Sequence, residues 1–159
     1  MLQPNNSPTI LILDLDGVLI TTPPWKQDMI ATDGYSEFNK ICVQQLNRLL
    51  KAHLFEIWLS SSRRKSQSLS FFKQLFSNRG VHTPLTGMLP ISQDHQSRKQ
   101  EIEFFLEQKS PVHFLIIDDD KSLNGLAPQL KSQLILTSYL KGFDEEKRIE
   151  ALKKLSLSL

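Results

Sequence analysis

Residues 11–19, Leu11-Ile12-Leu13-Asp14-Leu15-Asp16-Gly17-Val18-Leu19, decide how the rest of the chain is read. An apolar, strand-forming run delivers two carboxylates, two positions apart, into a glycine. Side chains alternate along an extended backbone, so Asp14 and Asp16 share a side if the strand continues through both. Gly17 lets the chain turn sharply, because it accepts backbone angles that a Cβ resists. Unpaired acids beside a core are costly, so a strand ending in clustered carboxylates points to metal or phosphate chemistry. A plain turn at a strand end is the competing reading of this pair taken alone. What recurs downstream decides between them.

Working outward, apolar runs alternate with helical patterns. Thr9–Leu15 lacks polar alternation and reads as a strand buried on both faces. Ile20–Tyr35 carries Pro23, Pro24 and Gly34 and reads as a loop or small flap, with Trp25 exposed or capping something. Phe38, Ile41, Cys42, Leu46, Leu49 and Leu50 recur at helical spacing, predicting an amphipathic helix over about 37–51. Leu54–Leu59 is a second strand. Leu69, Phe72, Leu75 and Phe76 mark a helix closed by Asn78-Arg79-Gly80. Residues 81–89 are ambiguous, a short strand and loop. A further helix spans about 97–108, and Val112–Ile117 is a third clear strand ending in Asp118-Asp119-Asp120. Leu134–Thr137 reads as a last strand and Asp144–Leu155 as a closing helix.

Strands separated by helices predict an α/β fold, a mostly parallel sheet with helices on both faces. Ligands of such sheets gather outside the carboxyl ends of the strands. Three strand ends become informative together: Asp14 with Asp16, Ser60-Ser61-Ser62-Arg63, and Asp118-Asp119-Asp120.

Composition sets the frame. The chain has 159 residues, 40% of them hydrophobic and 23% charged, which suits one globular domain over 1–159, with 1–8 as a flexible lead-in. Such a domain buries about 70% of its unfolded surface. A net charge of +2 gives no support for nucleic acid or a membrane surface as partner. The single cysteine, Cys42, excludes an internal disulfide, fits a reducing cytoplasmic setting and reads as a packing residue. The polar, proline-bearing start shows no secretory pattern, and Ile10–Ile20 is too short and acidic to span a bilayer. His53, His82, His95 and His113 form no metal-ligand spacing. Phe71, Phe72, Phe104 and Phe105 read as core before stacking platforms. Neither GxxxxGK[ST] nor GxGxxG occurs, which weakens kinase and dinucleotide readings.

With these residues in order, the chain resembles the haloacid dehalogenase-like (HAD) superfamily of aspartate-nucleophile phosphohydrolases. The matching pieces are Asp14-Leu15-Asp16-Gly17-Val18, the strand ending in Ser60, Arg98 in Ser97-Arg98-Lys99-Gln100-Glu101-Ile102, and the acids of Phe114–Asp120. Within it, the run Phe38–Leu50 followed by Phe55–Arg63 looks like the small HAD domains associated with Swiss-army-knife RNA-repair proteins. Those domains usually carry Ser-Ser-Trp-Arg after the second strand, and Ser62 stands where the tryptophan would be.

The resemblance implies a Rossmann-like three-layer sandwich with a minimal cap or none. It implies Asp14 as nucleophile, forming an aspartyl-phosphate, and Asp16 as acid and then base. Ser60 would hydrogen-bond a phosphoryl oxygen, beside the Ser61 backbone N–H. Arg98 would stabilise the transferring group, with Lys99 as the alternative if the register slips by one. Arg63 matches the family arginine and would hold a further phosphate, although Arg63 and Arg64 also read as the solvated start of a loop. Magnesium would be held by Asp14, the Asp16 carbonyl, Asp119, and Asp118 directly or through water. Asp120 reads as a cap or turn. The implied activity is that of a magnesium-dependent phosphatase acting on a phosphorylated substrate, a macromolecular one if no cap covers the site. Alternatives are a nucleic-acid end-processing phosphatase or phosphotransferase working with a partner, and a noncatalytic binding module of the same fold.

Overall fold

The computed structural model describes residues 7–158 of the chain. Most of the expected lead-in, residues 1–6, lies outside them. Five parallel strands form one sheet in the order β3-β2-β1-β4-β5: β1 Thr9–Leu13, β2 Phe55–Leu59, β3 Leu85–Met88, β4 Phe114–Asp118 and β5 Leu134–Leu136. The helices are α1 Lys40–Ala52, α2 Leu69–Asn78, α3 Arg98–Lys109, the single turn α4 Pro128–Lys131, and α5 Glu145–Ser158. Every long connection returns to start another parallel strand, as the alternating pattern requires. Among the described residues no helix is long and apolar enough to cross a membrane.

The alternation of β1 divides the core. Leu11 and Leu13 pack with Leu46 and Leu49 of α1, Phe72 and Phe76 of α2, and Ala151 and Leu155 of α5. Ile10 and Ile12 point the other way, to Ile102, Phe105 and Leu106 of α3 and to Leu123 and Leu126. Both faces of the strand are therefore apolar, which explains its unbroken hydrophobic run.

Some boundaries differ from the sequence-based expectation for local reasons. The ladder of β1 stops at Leu13 rather than Leu15, because the Leu15 carbonyl accepts the N–H groups of Val18, Leu19 and Ile20 in a tight turn. α1 begins at Lys40 rather than near Glu37, since the Asn39 side chain accepts from the N–H groups of Ile41 and Cys42. Ser97 caps α3 through the Gln100 N–H in the same manner. Residues 85–88 resolve the ambiguous stretch as an edge strand. The flap of residues 20–36 holds no regular element, only the isolated bridges of Ile20 to Asp16 and of Ile30 to Ser36, and Trp25 lies 74% exposed upon it. Cys42 is buried, as its place on the apolar helix face suggested, and burial raises its thiol to about 11.

The segment after β5 turns back onto the first loop at Gly142. Its φ is +62°, and a Cβ there would stand 2.5 Å from the Val18 carbonyl oxygen and 2.7 Å from a Thr21 methyl. Phe143, next in the chain, donates its N–H to that same Val18 oxygen at 2.9 Å. Gly142→Ala should therefore destabilise the protein by about 2–4 kcal/mol through strain and backbone collision. Gly125→Ala, whose Cβ would meet only the Lys99 stem at 3.6 Å, serves as the control. Denaturant melts of both variants check this, and equal midpoints would refute it.

Candidate active site

Parallel pairing puts the carboxyl ends of β2, β1 and β4 side by side at one edge of the sheet. Asp14 follows β1, Ser60 follows β2, and Asp118 closes β4 with Asp119 next to it. The backbone carries the ladder just beyond the strands: Asp14 donates its N–H to Ile117 O at 3.1 Å, and Ser60 to Leu13 O at 2.9 Å. Neighbouring segments then pin the loop after Asp14. Asn39 donates its N–H to Leu19 O at 2.7 Å, and the Thr137 hydroxyl donates to Gly17 O at 2.6 Å. Gly17 adopts φ +77°, and a Cβ on it would collide with the Asp119 carboxylate. The glycine thus permits both the turn and the approach of the acid.

Asp14, Asp118 and Asp119 each direct a carboxylate oxygen into one space, these atoms lying within 4.8 Å of one another. Asp118 is fully buried and Asp14 nearly so. Two like charges about 4 Å apart repel by roughly 4 kcal/mol at an effective dielectric near 20. Burial, and then the charge of Asp118, accordingly push the Asp14 carboxyl well above the usual range, and the same two causes lift Asp119 to about 6.

One cation from the chain answers this charge. Arg98, the first residue of α3, reaches back with Nη1 2.5 Å from Asp118 Oδ2 and 3.4 Å from Asp14 Oδ1. The same Nη1 donates to Ser60 Oγ at 3.5 Å, and Ser60 Oγ donates to Asp118 Oδ2 at 3.4 Å. Burial works against the cation, but Asp118 and Asp14 outweigh it and raise its affinity for the proton.

Asp16 leaves this trio. Its carboxylate takes a two-pronged hydrogen bond from Arg63, Nε to Oδ2 and Nη2 to Oδ1, both at 2.8 Å. Arg63 also donates to Asp28 Oδ2 at 2.8 Å and to Ser36 Oγ at 3.1 Å, so one guanidinium joins the loop after β1 to the flap. Its carbon lies 5.5 Å from the centre of the Tyr35 ring. Burial alone would raise the Asp28 carboxyl, yet hydrogen bonds from Ser36, Arg63 and Thr22 lower it. Tyr139 stands at the same mouth, its phenol raised by burial and by the charges of Asp16, Asp119 and Asp28.

The other sequence candidates fall into place around this centre. The buried Ser61 uses its hydroxyl as an acceptor for the Arg63 N–H, capping the turn 62–65, and Ser62 is exposed. Lys99 turns away from the acids and pairs with Glu103 at 3.3 Å. Asp120 caps the turn 121–125 by accepting from the Ser122 N–H at 2.8 Å. Arg64 corrects the expectation of a solvated loop start. It is 2% exposed and donates to the carbonyls of Ser60, Ser61, Leu89 and Pro90 and to Glu101. Sequence reasoning also passed over Asp28, Glu101 and Thr137. An acid on a proline-rich flap, an acid one helical turn after Arg98 and a lone threonine carry no local signal of a site. The arginine pair after the serines was the one available hint of buried acidic partners.

A comparison with protein families matches residues 10–148 to the HAD domain in Swiss Army Knife RNA repair proteins. No curated protein matches the chain. Among solved structures, a hydrolase of the haloacid dehalogenase-like family from Streptococcus pneumoniae is similar, with 13% identity and a TM-score of 0.50 over 92% of this chain and 90% of that one. At that identity the likeness concerns the fold, the Rossmann-like parallel sheet with helices. The family match runs over most of the sequence, so the chain belongs to the HAD domains of Swiss Army Knife RNA repair proteins, in a superfamily of hydrolases and phosphatases.

Proposed function

We propose that this chain is a magnesium-dependent phosphatase that works through an aspartyl-phosphate on Asp14. The observation that carries this reading is the convergence of Asp14, Ser60, Arg98, Asp118 and Asp119 at one sheet edge, with three carboxylates inside 4.8 Å. A noncatalytic module has no use for an intact nucleophile beside such a costly cluster.

The donor set fits the metal. Three buried or half-buried carboxylates against one nearby guanidinium leave a formal excess of two negative charges, which one divalent cation balances. An all-oxygen set of a few carboxylates, open to water and substrate phosphate, suits magnesium. Asp14, Asp118, Asp119 and the Asp16 carbonyl would hold it. Bound there, it neutralises the developing phosphoryl charge.

The chain's own residues do the rest. An Asp14 oxygen attacks phosphorus while the bond to the leaving alcohol breaks, and Asp16 hands its proton to the departing oxygen. Asp16 then takes a proton from water, whose oxygen displaces Asp14 from phosphorus and releases inorganic phosphate. Ser60 and Arg98 supply donors to the phosphoryl oxygens, and Arg63 orients Asp16. The short segment 20–36 leaves little room for a cap domain, which favours a phosphate on a large substrate. A second reading makes that substrate an RNA end. The family's occurrence in RNA repair proteins supports it, while a net charge of +2 implies that a partner supplies most of the nucleic-acid affinity.

Purified protein should hydrolyse an aryl phosphate only with magnesium, and Asp14→Asn should lower turnover by roughly three orders of magnitude or more. Full activity in chelator, or in the variant, would sink the mechanism. A 3′-phosphorylated oligonucleotide assayed beside aryl phosphate and small metabolites tests the second reading. Phosphate release from metabolites alone would count against it.

The acidic cluster makes a separate prediction about metal-free protein. Unfolded aspartates titrate near ~4, whereas folded Asp119 titrates at about 6 and Asp14 shifts the same way. Above the unfolded value the native state holds protons that the unfolded chain has lost, so stability falls as pH rises, the share due to Asp119 being lost as pH passes about 6. Thermal midpoints in chelator should decline across that window, and magnesium should raise them most on its alkaline side. A midpoint that climbs with pH in chelator would contradict the assignment.

A further inference from the structure

Two arginines of the rim meet at a single carboxylate, and neither belongs to the other's element. Arg64 leaves the turn after β2, and Arg98 opens α3. Glu101, one helical turn after Arg98, accepts a hydrogen bond from Arg64 Nη2 on Oε2, while its Oε1 stands 3.7 Å from Arg98 Nε. That Nε–H is buried and has no hydrogen-bond partner, although Nη1 of the same group is committed to Asp118, Asp14 and Ser60. A buried unpaired donor on a charged group is costly, so its place beside a carboxylate it does not quite reach needs a reason.

From this geometry we infer that Glu101 is a positioning residue for Arg98, with Arg64 as its anchor. The inference rests on the phosphatase reading above. Glu101 aligns the Nε edge of the guanidinium, leaving the Nη edge free for the acids and the transferring phosphoryl group. When Arg98 turns from Asp118 toward phosphate, the short remaining gap to Oε1 closes and the orphan donor gains its partner. Arg64 makes the support stiff. Its other donors go to the carbonyls of Ser60, Ser61, Leu89 and Pro90, so one buried side chain ties the serine loop, the end of β3 and α3 to the carboxylate that steers Arg98. Outer partners that orient the ligands of a metal site typically cost about 10–100-fold in activity when removed, and a loss of that order is expected for a carboxylate that orients Arg98.

A double-mutant cycle between Glu101 and Arg98 tests this with aryl phosphate and saturating magnesium. Glu101→Gln should lower kcat by about 10–100-fold, with a smaller change in KM. In an Arg98→Lys background, which lacks the Nε–H of a guanidinium, the same substitution should cost only a few-fold. Equal costs in both backgrounds, or wild-type kcat in Glu101→Gln, would overturn the inference. Should Glu101→Gln fail to fold, Glu101→Asp keeps the charge for Arg64, withdraws the carboxylate from Arg98, and is read by the same coupling. Inactivity of the wild-type chain itself would instead strike the phosphatase reading, so the two failures are distinct.

Discussion

Negative charge gathered where water is scarce is the constraint around which the molecule is built. Asp14 and Asp118 end adjacent parallel strands, and their carboxylates and that of Asp119 occupy one space with one guanidinium beside them. Nothing in the apolar interior can stabilise that concentration, and burial and mutual repulsion accordingly displace Asp14 and Asp119 upward. The fold tolerates it because two packed cores, one on each face of the sheet, set the strand ends rigidly at a common edge. Stability drawn from the layers is what allows an unfavourable centre to persist between them.

Arginine is the device that recurs at this edge, used each time in a different way. Arg98 meets the acids directly. Arg64 is buried and braces two pairs of loop carbonyls, Ser60 with Ser61 and Leu89 with Pro90, together with Glu101. Arg63 joins Asp16 to the flap acid Asp28, and Arg79 fastens the far side of the flap through Asp33 and the carbonyls of Tyr35 and Ser36. A planar fork of donors can satisfy several acceptors at fixed angles, which a lysine ammonium cannot do. Loops that would otherwise be soft are therefore tied to elements that are not.

What was legible in the sequence follows from how local each signal is. The parallel sheet and its helices were readable because apolar periodicity is a property of neighbouring residues. The meeting of residues 14, 60 and 118–119 was readable because parallel strands put their carboxyl ends together whatever the side-chain details, whereas Arg98, at the start of α3, was reached only through the family resemblance. The true end of β1 was not, since it depends on three N–H groups converging on the Leu15 carbonyl. Nor was the burial of Arg64, whose acceptors lie on the turn after β2, the end of β3 and α3. The separation of Asp16 from the other acids was equally hidden, because Arg63 holds its carboxylate and is itself held by Asp28 and Ser36 on a flap with almost no regular structure.

That separation has a chemical consequence. Asp14 and Asp16 are two positions apart in the chain, yet they inhabit unlike surroundings. Asp14 is enclosed with two further acids, and Asp16 is half-open to solvent and gripped by a guanidinium. These settings suit the roles proposed above: a nucleophile gains from a fixed, dehydrated approach to phosphorus, whereas a proton carrier needs access to the leaving oxygen and then to water. Ending the strand at Leu13 places the two carboxylates in these different settings, which a continued extended run would not do, since it would stack both on one side. The sharp turn at Leu15–Ile20, held by Thr137, Asn39 and Phe143, is thus as much a part of the chemistry as the acids it displays.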